Sequence, residues 1–263
     1  MSSGPNPAVA GWSMVRARRL SSPQPDTAAS RTVDHSGLVP VLEELEASGV
    51  ASLSNNIPAL DTYRDTMESE EPNTLDPAEA LAFWMNLYNA GALRTAAAAF
   101  DQDSASVLRV PGAFSDPWAV IAGEILSLDD IEHGKIRRFR DPRIHGALVC
   151  GSASCPTLRG EPYVGARLDV QLDDQLRIFI THGAAQVSRS DNTLWLSSVF
   201  KWYGGDFTRP YTMPNLTPAL PERLRNTIAF WMSRDDADYI WVSQPKVKFM
   251  PYDWALGCSI SRS

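Results

Sequence analysis

The stretch DPRIHGALVCGSASCPTLRG, residues 141–160, holds His145, Cys150 and Cys155. An imidazole and a thiol are the parts of a nucleophilic site: the thiolate attacks, and a neighbouring base or positive charge keeps it ionised. Cys155 follows GSAS, which is too small to build a hydrophobic face, and precedes Pro156. Small residues let a backbone approach a ligand, and their N–H groups are suited to stabilising an oxyanion. Cys155 is therefore the expected accessible thiol. His145 is the nearest candidate base, and ten residues of strand plus turn are enough to fold it back beside Cys155.

Cys150 reads differently. In a β-run beginning at Ile144, side chains alternate, so Ile144, Gly146, Leu148 and Cys150 share one face. The expectation is a small core residue beneath the strand, poorly placed for a disulfide with Cys155. A redox pair of Cys150 and Cys155 stands as the alternative.

Other chemistry is missing from the sequence. No GxxxxGK, GxGxxG or HExxH motif occurs. The two nearby cysteines lack a second Cys or His pair at zinc spacing. No metal and no cofactor are expected. Three Cys residues form no disulfide framework, and the N-terminus lacks the compact apolar core of a secretory signal, which points to a reducing, cytoplasmic setting. The net charge of −7 argues against nucleic acid or an anionic membrane as partner. No apolar run nears the roughly 18–20 residues that span a bilayer.

The elements that must position these residues are legible in outline. Residues 1–34 read as a flexible segment, and residues 35–263 as a single domain. Residues 36–48 have helical spacing of Leu38, Val41, Leu42 and Leu45. Asp76 and Pro77, with Glu79 at the third helical position, announce a helix that is apolar nearly all round and so expected to be buried. Asn86 and Asn89 stand one turn apart within it, where buried amides must find partners; tying the helix to backbone carbonyls is the expected role of at least one. A hairpin is predicted at Ala122–Gly123, a helix from Ser127 or Asp129, an amphipathic helix over residues 168–183 and a hairpin turning at Ser190–Asn192. A helix follows in PERLRNTIAFWMSR, and YIWVSQPKVKFMPYDWALG reads as one or two closing strands. With no βαβ rhythm, the pattern favours α+β, helices packed on an antiparallel sheet.

The motifs AFWMNLYNA, SLDDIEHGKIR, DPRIHGALVCGSASCPTL, LDVQL, LSSVFKWYGGDF and YDWALG, in this order, resemble domain-of-unknown-function family 547 over residues 35–257. The resemblance implies a papain-like or transglutaminase-like architecture, with His145 on the family's His and Cys155 on its Cys-Pro cysteine. Plant relatives, where that pattern is not kept, imply a binding module instead. Gly146 departs from the family, which often has a bulky aromatic there, and so opens space beside His145. Under the resemblance Cys155 is the nucleophile and His145 its base, with His133 the less favoured base. A third group should orient His145. Glu132 is the first choice and Asn86 the second, although Glu132 equally suits a helix-surface or helix-pairing carboxylate. Trp202, Tyr203 and Asp206 in KWYGGDF read as aromatic packing with a turn carboxylate.

The function expected is a cysteine-dependent hydrolase or acyltransferase acting on an amide, isopeptide or thioester bond, with a peptide or a small thiol- or amide-containing substrate. A non-catalytic binding or scaffold domain and a thiol redox protein are the rival expectations.

Overall fold

A computed structural model describes residues 15–16, 19–215 and 217–261. The chain divides into two compact units. Unit 1 comprises Met1–Phe139, Leu148–Gln171 and Asp253–Ser263, and unit 2 comprises Arg140–Ala147 and Leu172–Tyr252.

Unit 1 is helical at its centre. It holds helices α1 (Val39–Ser48), α2 (Leu53–Met67), α3 (Pro77–Asp101) and α4 (Leu128–Gly134), with a hairpin of β1 (Pro117–Ile121) and β2 (Glu124–Ser127) in the connection between α3 and α4. Asp76 caps α3 by accepting from the N–H groups of Ala78 and Glu79, with Pro77 at the first position. Glu79 does not close a capping box. Its carboxylate instead accepts from Val33 N–H at 2.8 Å and Gly165 N–H at 2.7 Å, which ties two distant segments to the start of α3. Helix α3 is buried along most of its length, from Ala80 to Leu93, as its apolar character predicts. It packs against α2 and α4. At Gly91 a Cβ would stand 2.5 Å from Leu128 and 2.8 Å from Trp118, so glycine is what lets the hairpin and α4 come this close.

The hairpin turn at Ala122 and Gly123 has positive φ at both positions, the primed turn that suits strand twist. Ser127 starts α4 with a full capping box to Asp130. Helix α2 had no clear signal in the sequence, since its mean hydropathy is low and Pro58 interrupts it.

Part of the segment 1–34 lies outside the described residues. The described stretch beyond Ser21 runs along unit 1. Ser21 Oγ donates to Glu124 at 2.8 Å, Asp26 N–H to Leu75 O at 2.8 Å, and Gln24 N–H to Asn73 at 3.0 Å.

Two short strands, β3 (Leu158–Arg159) and β7 (Ile260–Ser261), pair in parallel in unit 1. Helix α5 (Leu168–Phe179) begins in unit 1 and continues into unit 2. It ends at Phe179 and passes into a π-helical turn, Ile180–Ala184, in which Gly183 takes a φ of 108° that only glycine adopts readily.

Unit 2 holds a three-stranded sheet of β4 (Ala185–Ser188), β5 (Thr193–Leu196) and β6 (Lys246–Phe249) with helices α6 (Ser198–Thr208), α7 (Pro221–Ala229) and α8 (Arg234–Ser243). Its core gathers Leu176, Phe179, Leu194, Leu196, Phe200, Phe207, Leu224, Ile228 and Ile240. The mixed α+β class agrees with the expectation, but the antiparallel sheet does not. β5 pairs with β4 antiparallel and with β6 in parallel. Three helices separate β5 from β6, a connection long enough for a parallel crossover.

Residues 144–150 form no strand. Pro142–Gly146 is a 3-10 helix, begun by the Asp141 carboxylate accepting from Arg143 N–H at 2.9 Å with Pro142 at the first position. A cap fixed by neighbours prevails over alternation in so short an apolar run. Residues Tyr239–Ser243 belong to α8 rather than to a closing strand. Ser233 caps that helix, and Asp235 and Asp236 favour its N-terminus.

Candidate functional site

Cys155 stands on a loop of unit 1 that is fastened on both sides. On one side, Asn89 of α3 accepts from Val149 N–H at 3.1 Å, just before the loop begins. Beyond the loop, Asn86 holds Tyr163 by both backbone groups: Nδ2 donates to Tyr163 O at 2.7 Å, and Oδ1 accepts from Tyr163 N–H at 3.0 Å. On the other side, the C-terminal segment runs beside the loop. Ala153 N–H donates to Ala255 O at 2.8 Å, Gly257 N–H to Gly151 O at 3.0 Å, and Leu158 N–H to Ser259 O at 2.8 Å. Gly151 turns the loop with φ of 75°, and a Cβ there would meet Val107 at 2.8 Å.

Within this frame the Cys155 sulfur accepts two hydrogen bonds, from Cys150 N–H at 3.0 Å and from Ser152 Oγ–H at 3.3 Å. The Cys150 sulfur lies 3.0 Å from the same Ser152 hydroxyl, so Cys150 Sγ, Ser152 Oγ and Cys155 Sγ form one chain of polar contacts. Donors aimed at a sulfur favour its charged form. Cys150 is half-buried and turned to Ser152 rather than packed beneath a strand.

Cys155 also lines a cavity of about 200 Å³ with Ser152, Pro156, Leu158 and Cys258 among its walls. Burial, and secondly the charge of nearby Cys155, push the Cys258 thiol up to about 12. Cys258 is thus a protonated thiol at neutral pH.

His145 belongs to unit 2, on the 3-10 helix Pro142–Gly146. Its Nε2 lies 2.9 Å from Asp206 Oδ2, and both side chains are almost fully buried. Tyr203 stacks on the ring at a centroid distance of 4.0 Å, and Phe207 flanks it at 5.8 Å. The other oxygen of Asp206 accepts from Asn215 N–H at 2.7 Å. The imidazole is therefore fixed in orientation, with a carboxylate able to stabilise its charged form. No space opens at Gly146: a Cβ there would stand 2.9 Å from the Leu176 backbone, so glycine serves close approach to α5.

Glu132 is buried in α4 of unit 1, where it accepts from Tyr88 OH at 3.1 Å and its other oxygen lies 3.5 Å from His133 Nδ1. His133 also contacts Arg137 at 3.3 Å. The carboxylate on His145 is Asp206, 61 positions away and read from the sequence as part of a turn. The pairing left no signal in spacing. Ser152 was hidden among small residues, and Cys258 lies more than a hundred positions from Cys155. No group of three or more His, Cys, Asp or Glu that could hold a metal is found among the described residues.

Residues 72–180 match the family described as Protein of unknown function, DUF547. A region of domain-of-unknown-function family 547 is therefore present there, and it contains Asn86, Asn89, Glu132, His145, Cys150 and Cys155. Asp206 and Cys258 lie beyond the match. No curated protein and no solved structure matches the chain. Among the described residues no helix is long and apolar enough to cross a membrane.

Proposed function

We propose that the chain is a cysteine-dependent hydrolase or acyltransferase, papain-like or transglutaminase-like in its chemistry, with Cys155 as nucleophile and His145 as acid–base group. The observation that carries the reading is the pair of donors on the Cys155 sulfur, the Cys150 amide and the Ser152 hydroxyl, at the wall of a cavity. A thiolate held this way attacks the carbonyl carbon of an amide, isopeptide or thioester bond, and a thioester to Cys155 forms as the amine or thiol departs. Water or an amine then takes the acyl group. A departing amine must be protonated, and His145 is the group suited to that step: its ring is held by Asp206 and Tyr203, as an orienting carboxylate holds the imidazole of a triad. Asp206 takes the orienting role in this reading, and Glu132 serves Tyr88 and α4. Peptides and small amides or thioesters are the substrates it calls for, in a reducing compartment such as the cytoplasm where Cys155 stays a thiol.

The test is a pH series of Cys155 alkylation by iodoacetamide in wild type and His145→Ala, with thermal melts alongside. The expected result is a rate profile displaced to higher pH in the variant. Superimposable profiles with a lowered melting temperature would leave His145 a packing residue and favour a binding module.

A further inference from the structure

Cys258 stands where the C-terminal segment passes the Cys155 loop. The residues on either side of it are fastened to that loop by backbone hydrogen bonds, Gly257 to Gly151 at 3.0 Å and Leu158 to Ser259 at 2.8 Å. Cys258 and Cys155 both line the 200 Å³ cavity, and Cys150 is not among its lining residues. We propose that Cys258 is the resolving thiol of Cys155, capturing the oxidised Cys155 sulfur as a disulfide across this cavity.

The inference rests on the reading of Cys155 as a reactive thiolate. The oxidant is a hydroperoxide, for which hydrogen peroxide is the simplest case. The Cys155 sulfur attacks one peroxide oxygen; the S–O bond forms, the O–O bond breaks, and the departing hydroxide takes a proton as water. The sulfenic acid that results is attacked by the Cys258 sulfur. The S–S bond forms, hydroxide leaves the Cys155 sulfur, and the proton given up by Cys258 makes a second water. The two cysteines lose two electrons and the peroxide gains two.

The electrostatics order these steps. While Cys155 is an anion it helps hold the Cys258 thiol protonated, after burial, the larger cause. A neutral sulfenic acid removes that charge, so Cys258 ionises more readily once Cys155 has been oxidised. The disulfide would also shield Cys155 from the irreversible sulfinic state.

The experiment treats the reduced full chain with one equivalent of hydrogen peroxide, blocks remaining thiols and maps non-reduced tryptic peptides by mass. Residues 144–159 carry Cys150 and Cys155 on one peptide, and residues 249–262 carry Cys258. The expected product joins these two peptides, with fragmentation placing the link on Cys155. In Cys258→Ser that product is lost, and Cys155 advances to sulfinic acid on repeated treatment. A disulfide within peptide 144–159, or sulfinic Cys155 beside a free Cys258 in wild type, would overturn the proposal. Iodoacetamide labelling of the same samples separates the two readings. Labelling of Cys155 without the link sinks only the role of Cys258, and an inert Cys155 sinks the nucleophile and the resolving thiol together.

Discussion

His145 Nε2 and Asp206 Oδ2 lie 2.9 Å apart, each side chain all but removed from solvent. Such a pair is costly to break from one side, since the remaining partner is left buried and uncompensated; the loss is typically 3–5 kcal/mol. Asp206 also anchors Asn215 N–H. Asp206→Ala should therefore destabilise the protein by about 3 kcal/mol. Asp206→Asn keeps a hydrogen bond to the ring and should cost less, while still losing the charge that supports a protonated imidazole. Urea unfolding of both variants checks this. Equal stability of Asp206→Ala and wild type would show that the contact carries no weight.

Ser152→Ala removes the hydroxyl that donates to Cys155 and leaves the Cys150 amide in place. A hydrogen bond to a charged group contributes about 1.5–3 kcal/mol, and 1.4 kcal/mol is tenfold in an equilibrium. The Cys155 alkylation rate at neutral pH should fall roughly tenfold, recovering as the pH is raised. Rates measured by mass spectrometry on the 144–159 peptide decide it, and an unchanged rate would mean that the hydroxyl does not support the thiolate.

Some of this site was readable in advance and some was not, for physical reasons. The helix that carries Asn86 and Asn89 announced itself through Asp76, Pro77 and an unbroken apolar run, because caps and burial are local. The hairpin at Ala122–Gly123 did so through its turn residues. The 144–150 run misled, because alternation over so few residues is weaker than the Asp141–Pro142 cap beside it. The partners of the catalytic candidates were beyond reach. Asp206 meets His145 across 61 positions, and Cys258 is brought to the Cys155 loop, more than a hundred positions away, by the backbone bonds of its neighbours Gly257 and Ser259. Composition and period carry no record of such tertiary pairing.

Asn86 spends both amide atoms on the backbone of Tyr163. Asn86→Ala leaves a buried N–H and a buried C=O without those bonds, at about 1–3 kcal/mol for each unsatisfied group. The expected outcome is a loss of about 3 kcal/mol in unfolding free energy, together with faster proteolysis near residue 163, where the chain is no longer held to α3. Asn89→Ala, which releases Val149 N–H, should slow or speed Cys155 alkylation more than Asn86→Ala does, since Val149 leads directly into the thiol loop. A larger change of labelling rate in Asn86→Ala than in Asn89→Ala would contradict this division of labour.

His35 makes unit 1 sensitive to acid. Its ring is buried, with Nδ1 2.7 Å from Tyr63 OH and Nε2 without a hydrogen-bond partner among the described residues. Burial pushes the imidazole from 6.5 down to about 4, and the nearby Asp34 offsets this only in part. The fold thus holds His35 neutral where the unfolded chain already binds a proton. Between pH 6.5 and 4 the unfolded state takes up more protons, so stability is fully present above pH 6.5 and falls as the pH drops toward 4. At 1.36 kcal/mol per pH unit, this gap amounts to about 3 kcal/mol. Urea unfolding at pH 7, 5.5 and 4 should show that loss in wild type. In His35→Gln, which has no proton to gain, the slope over this window should flatten by about the same amount. Parallel slopes in the two proteins would assign the acid sensitivity to other groups.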